Sequence, residues 1–211
     1  MGPAGSGKGT MSAKIVETYK VPHISTGDMF RAAIKEGSEL GVIAKSYIDQ
    51  GKLVPDEITI AMIKRRLQQS DCQVGYLVDG YPRTLVQAQE FEEIAAGISR
   101  PIEVVLNLKM DFNQLAKRVT GRRLCKNCGA IFHTSNLPPQ KEGICDVCGN
   151  SLIQRSDDTV EQLRIRIDEH ERNTTPVLAY YASEGLVQEI DASRSIDEVW
   201  TDVTAILEKI Q

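Results

Sequence analysis

The opening residues read MGPAGSGKGT, and Gly2, Gly7 and Lys8 satisfy the spacing G-x-x-x-x-G-K of a phosphate-binding loop. Glycines at such positions let successive backbone N–H groups turn toward phosphate oxygens with no Cβ in the way. The lysine adds a cation that reaches the outer phosphates, and the following helix presents its positive end. Gly9 stands where serine or threonine usually follows the lysine, so a customary magnesium ligand is missing. Asp79, which ends the apolar run Tyr76-Leu77-Val78, is the candidate to hold magnesium instead, directly or through water. Without the loop, Asp79 reads more simply as a turn residue.

A second chemistry sits in the cysteines. Four of the five fall in Cys125-x2-Cys128-x16-Cys145-x2-Cys148, and Cys72 stands alone. Two C-x2-C knuckles, each followed by a glycine (Gly129, Gly149), point to tetrahedral zinc in a reducing compartment rather than a disulfide framework. Four sulfurs leave no open coordination position, so the metal is expected to be structural. An iron site or oxidised pairs are the alternatives. His133 is unnecessary as a fifth ligand and reads as a surface or packing residue, and Cys72 as an incidental thiol.

Positioning these groups requires a scaffold. Strand candidates are 21–25, 76–79, 102–108 and 186–190. Helical spacing covers 11–19, 28–35, 40–50, 57–69, 85–96, 112–119, a long segment 159–182, and 196–210. Asp56, Asp111 and Ser195 are candidate helix caps. Alternating strands and helices predict a doubly wound, mainly parallel α/β sheet covered by helices. Residues 121–158 break the rhythm with Pro138-Pro139 and the four cysteines, and read as a small inserted subdomain. Gly121 and Asp157-Asp158 are its candidate hinges.

Composition excludes several classes. Of 211 residues, 41% are hydrophobic and 26% charged, and the net charge of −4 provides no global field for nucleic acid. No apolar run approaches the roughly 18 residues of a membrane span. The expectations are a cytoplasmic α/β enzyme or a zinc-bearing binding module. Any anionic ligand must then be met by locally concentrated arginines.

Gly5-Ser6-Gly7-Lys8-Gly9-Thr10, then Ser25-Thr26-Gly27-Asp28-Met29-Phe30-Arg31, then Asp79-Gly80-Tyr81-Pro82-Arg83, together resemble adenylate kinase. The cysteine insert resembles the family's zinc-bearing long-lid form. The resemblance runs nearly the whole chain and implies ATP + AMP ⇌ 2 ADP with magnesium. It implies a core kinase domain (1–24, 55–120, 159–211), a monophosphate-binding arm (25–54) and a zinc-binding lid (121–158), in a monomer without nucleic-acid or membrane partners.

The resemblance also assigns residues. Lys8, Arg83, Arg122, Arg155 and Arg166 are the catalytic cations, acting by alignment and charge neutralisation with no general base. ATP falls to the loop Gly5–Thr10 and to Arg118, Arg122, Ile131, Phe132 and Arg194. AMP falls to Thr26, Arg31, Lys52, Leu53, Val54, Gly80, Tyr81, Pro82, Arg83 and Gln87. Arg155 closes from the lid and Arg166 reaches both phosphate chains. Lys117, Arg123 and Arg164 read as solvated charges. Gln87 offers adenine one donor and one acceptor, against the plainer reading of an exposed helical residue.

Two departures stand out. Ala4 occupies the place before Gly5 where the family usually carries proline, which keeps open a kinase for CMP, UMP or GMP. The family also carries a short apolar strand before the loop, so a buried strand is expected ahead of Met1. A zinc-ribbon nucleic-acid binder is a third reading, disfavoured because Phe132 is the insert's only aromatic.

Overall fold

A computed structural model describes residues 1–210. Each strand candidate forms a strand, shifted or trimmed by a few residues: β1 (His23–Ser25), β2 (Leu77–Asp79), β3 (Val105–Lys109) and β7 (Val187–Asp191). Their pairing is parallel throughout, as two pairs. β1 lies on β2 with Ser25 opposite Asp79, and β3 lies on β7 with Lys109 opposite Asp191. Ahead of the phosphate loop, Met1 runs along β3: its N–H group donates to Leu106 O, and its carbonyl accepts from Leu108 N at 3.1 Å.

Helix α1 (Lys8–Tyr19) follows the loop directly. Its buried Met11 and Ile15 pack against Leu108, Ile190 and, from α9 (Ile196–Leu207), Val199 and Val203. On the other side, Ile24 of β1 packs with Ile63 and Leu67 of α4 (Asp56–Leu67) and with Phe91 and Ile94 of α5 (Leu85–Gly97). Each fully buried aliphatic side chain contributes about 1.5–3 kcal/mol. These two clusters therefore fix the loop and the ends of β1 and β2 beside one another.

Between β1 and α4, helices α2 (Thr26–Glu36) and α3 (Glu39–Ile48) form their own cluster of Phe30, Ala44 and Val54. Ser25 and Ser38 cap the two helices by accepting from Asp28 N and Gly41 N. Segment 121–158 holds an antiparallel sheet in the order β5 (Ile131–His133), β4 (Arg122–Cys125), β6 (Leu152–Ile153). Its own core is Cys125, Cys145 and Phe132, too little apolar surface to hold so many residues without a staple.

Two expectations change. Asp111 and Ser195 cap α6 (Phe112–Gly121) and α9, the latter with a full capping box, but Asp56 caps nothing. Pro55 takes the cap position of α4, and the Asp56 carboxylate turns to α5 instead. The long helix over 159–182 is α7 (Val160–Glu169) and α8 (Thr175–Ser183) joined by a π-turn at His170–Thr174, because Pro176 has no N–H for the continuous ladder. The hinge residues are engaged. Thr134 N donates to the Gly121 carbonyl at 2.9 Å, while Asp157 and Asp158 pair with Arg166 and Arg122. No described helix is long and apolar enough to cross a membrane.

Candidate active site

A cavity of about 1140 Å³ opens between the phosphate loop, the ends of β1 and β2, segment 121–158 and α7. Gly5, Ser6, Gly7, Lys8, Gly9 and Thr10 form one wall. Gly7 adopts φ 96°, a conformation that strongly favours glycine, and this starts α1 at Lys8 with its free N–H groups facing the cavity. Ser6 Oγ is buried with no hydrogen-bond partner, and Lys8 Nζ donates to Gly2 O and Pro3 O, both at 2.7 Å. A lysine that caps its own loop and an orphan hydroxyl form an acceptor-hungry cradle that fits phosphate oxygens.

The cations gather opposite. Arg31 comes from α2, Arg83 from the turn after β2, Arg122 and Arg155 from the two ends of the insert, and Arg166 from α7, and all line the same cavity. Carboxylates hold three of them: Arg31 with Asp28 at 2.5 Å, Arg166 with Asp157 at 2.8 Å, and Arg122 bidentate on Asp158. Arg155 Nε is buried without a partner.

Burial and mutual repulsion act on the same cations. Burial lowers Arg155 to about 10, with Arg122 and Arg31 adding to the effect. Arg83 also falls to about 10, through burial and then Arg166. Lys8 falls to about 8 through burial; Asp79 opposes that shift and Arg83, Arg166 and Arg122 reinforce it. Cations this crowded favour a polyanion between them.

Asp79 ends β2 on the cavity wall. Burial alone would raise its carboxyl, but His23 and the Lys8 ammonium reverse that and hold it down to about 2. His23 Nε2 stands 3.8 Å from Asp79 Oδ2, too far for a hydrogen bond. An ionised, cavity-lining carboxylate has the donor chemistry that magnesium takes.

Arg118, Arg194, Ile131 and Phe132 also line the cavity. Arg118 Nη2 donates to Ala192 O at 2.9 Å, and Arg194 pairs with Asp202. On the acceptor side Leu53, Gly80, Tyr81 and Pro82 line the cavity, but Thr26, Lys52, Val54 and Gln87 do not. Thr26 Oγ1 donates to Gly80 O at 2.9 Å, and Lys52 Nζ reaches Gln50 Oε1 at 3.0 Å in solvent. Val54 is buried in the arm's own cluster. Gln87 matches neither expectation in this conformation. It is buried, not exposed, and its amide is bonded to Asp56 and to the Arg83 backbone.

Sequence reasoning missed His170. It lines the cavity in the π-turn, with Nε2 buried and unpartnered. Burial, then the charges of Lys8, Arg83 and the Met1 ammonium, push it down to about 4, so it stays neutral among cations. Its position four residues past Arg166 was the available signal.

The expected metal ligands converge. The sulfurs of Cys125, Cys128, Cys145 and Cys148 all lie within 4.8 Å of one another, with Cys125–Cys148 at 3.4 Å and Cys128–Cys145 at 3.5 Å. Tetrahedral zinc with bonds near 2.3 Å sets sulfurs about 3.8 Å apart, so the cluster is compatible with zinc. His133 is a packing residue: Nε2 lies 3.2 Å from Lys117 O, and Nδ1 accepts from Ser135 N and Asn136 N.

Known proteins are similar to this chain over nearly its full length. A family model described as adenylate kinase matches residues 1–186. An adenylate kinase of Geobacillus sp. (strain WCH70) is 49% identical over 211 residues, covering 100% of this chain and 98% of that protein. One from Bacillus pumilus (strain SAFR-032) is 48% identical over 207 residues, covering 98% and 95%. One from Archaeoglobus fulgidus is 44% identical over 211 residues, covering 100% and 97%. A phosphate loop facing a cluster of arginines, matched to these relatives over almost every residue, places the chain in the adenylate kinase family.

Proposed function

We propose that the chain catalyses ATP + AMP ⇌ 2 ADP. The observation that carries this reading is the convergence of Lys8, Arg31, Arg83, Arg122, Arg155 and Arg166 on one cavity beside the phosphate loop. Two polyanions meeting end to end need that much positive charge, whereas a single nucleotide does not. The attacking phosphate of AMP is mostly dianionic at neutral pH, since a phosphate monoester's second pKa is about 6. No side chain therefore has to remove a proton.

The loop amides and Lys8 hold the ATP phosphates. Arg31 and Arg83 hold the AMP phosphate, and Arg166 lies against both chains. Arg122 and Arg155 come down from the segment 121–158, which acts as a lid and expels water as it delivers charge. Segment 25–54 acts as the AMP arm, with Thr26, the backbone of 52–54 and Gln87 around adenine. Thr26 and Gln87 stand back from the cavity in this conformation, so the arm moves toward the lid when ATP and AMP bind and brings its residues onto adenine. Arg118, Ile131, Phe132 and Arg194 lie along the ATP nucleoside.

Magnesium, held at Asp79 through water, would neutralise charge on the ATP phosphates. Zinc on the four cysteines would staple the lid in place of an apolar core. The protein works as a monomer in the cytoplasm, without nucleic-acid or membrane partners.

The test is a coupled assay with MgATP and AMP, CMP, UMP or GMP in turn. ADP formation with AMP far above the others is the expected result. Preference for another monophosphate would move the chain to a sister activity, and no turnover with any would end the reading.

A further inference from the structure

Gln87 is 2% exposed, and its amide is fixed at both ends. Nε2 donates to Asp56 Oδ1 at 2.7 Å, and Oε1 accepts from Arg83 N at 2.8 Å. A carboxylate only accepts and a backbone N–H only donates, so the amide fits one way round. Turned over, it would set oxygen against carboxylate and NH2 against N–H. The other Asp56 oxygen accepts from Thr84 Oγ1 at 3.0 Å, and that hydroxyl accepts in turn from Gln87 N at 3.2 Å. Tyr81 Oη donates to the Gln87 backbone carbonyl at 3.0 Å. Asp56 is also the first residue of α4, two positions beyond the 52–54 backbone.

We infer that Asp56 is a specificity-determining residue: by fixing the Gln87 amide one way round, it makes the acceptor site read adenine and reject guanine. This rests on the reading above that Gln87 faces the acceptor base. With one proton and one lone pair committed, Gln87 keeps one N–H and one lone pair for a ligand. Adenine presents an acceptor at ring position 1 and a donor at position 6. Guanine presents the same two kinds of group in the reverse order. An amide free to turn over serves either base, whereas an amide held by a carboxylate serves one. Asp56 does this without touching the nucleotide, so it is a positioning residue.

The test uses the full chain and Asp56→Asn, whose side chain can donate as well as accept and so removes one of the amide's two constraints, leaving the Arg83 N–H as the other. The ratio of kcat/KM for AMP to that for GMP is expected to fall by about tenfold or more. The fall should come through a higher KM for AMP, with KM for ATP changed less than about twofold. In a Gln87→Ala background the same substitution should leave the ratio within about twofold, because its route is gone. An equal loss for AMP and GMP, or an undiminished effect without Gln87, overturns the inference.

Should the asparagine variant not fold, side-chain amide NMR of the unmodified protein decides. One Gln87 Nε2 proton should hold its resonance when AMP binds while the other moves. Exchange of the two, or movement of both, overturns the inference. Absence of AMP turnover in the unmodified protein would count instead against the proposed function, and the NMR measurement separates the two failures.

Discussion

Arg122 and Asp158 form a bidentate pair at the base of the lid: Nε donates to Oδ2 at 2.9 Å, Nη2 donates to Oδ1, and the carboxylate has no exposed surface. In this state the guanidinium expected to meet phosphate is held by protein. On the proposed role of Arg122, closure on ATP would exchange one anion for another instead of uncovering a bare cation.

Asp158→Ala leaves Arg122 among Arg155 and Arg166 without its own carboxylate, the neighbouring Asp157 being paired with Arg166. Breaking a buried pair from one side costs about 3–5 kcal/mol. Urea denaturation should show a loss of that order, and saturating ATP should recover part of it because phosphate replaces the missing carboxylate. Equal losses with and without ATP would show that Arg122 does not change partners.

Lys8 gives a pH signature. In the free protein burial lowers it to about 8, so it is charged below that pH and neutral above it. A bound polyphosphate stabilises the charged form and raises the value. The kcat/KM for ATP, which reports the free enzyme, should fall up to about tenfold per pH unit above 8, while kcat stays level to higher pH. Lys8→Met should abolish this limb and lower kcat by about 10²-fold or more.

Chelation tests the zinc proposed for segment 121–158. Purified protein should carry a single zinc per chain. A strong chelator should lower Tm and make the four lid thiols reactive, while Cys72, 1% exposed, stays protected until global unfolding. Cys128→Ser should act in the same direction. Four thiols that react equally before and after chelation would rule the metal out.

The loop glycines should respond unequally to alanine. At Gly5, φ is 87° and a Cβ would meet Val119 Cγ2 at 2.8 Å and Leu115 O at 3.1 Å. Gly5→Ala should cost about 1–3 kcal/mol from the backbone alone, and more from the contact. At Gly9 the new Cβ meets only Ile131 Cδ1, at 3.1 Å, the mobile end of a side chain. Gly9→Ala should leave the melting temperature nearly unchanged.

Short-range signals made much of this legible in the sequence. Glycine spacing announces a phosphate loop because close backbone approach needs it, and paired cysteines announce their metal geometry because each knuckle is local. Asp111 and Ser195 cap their helices because a cap needs only the next three residues. The strands followed their apolar runs to within a few residues.

Tertiary structure decided what depends on partners distant along the chain. Asp56 looks like a cap until α5 brings Gln87 to it across 31 residues, and nothing local to Asp158 shows that Arg122 will meet it across 36. Whether Gln87 is exposed, buried or in the cavity is invisible from its helix alone, because the burial comes from other elements. The sequence by itself picked out the glycine-rich loop that lines the cavity and the four cysteines that converge. Folding decided which carboxylate holds which cation, because a charge settles on the nearest counter-charge in space, whatever their order along the chain.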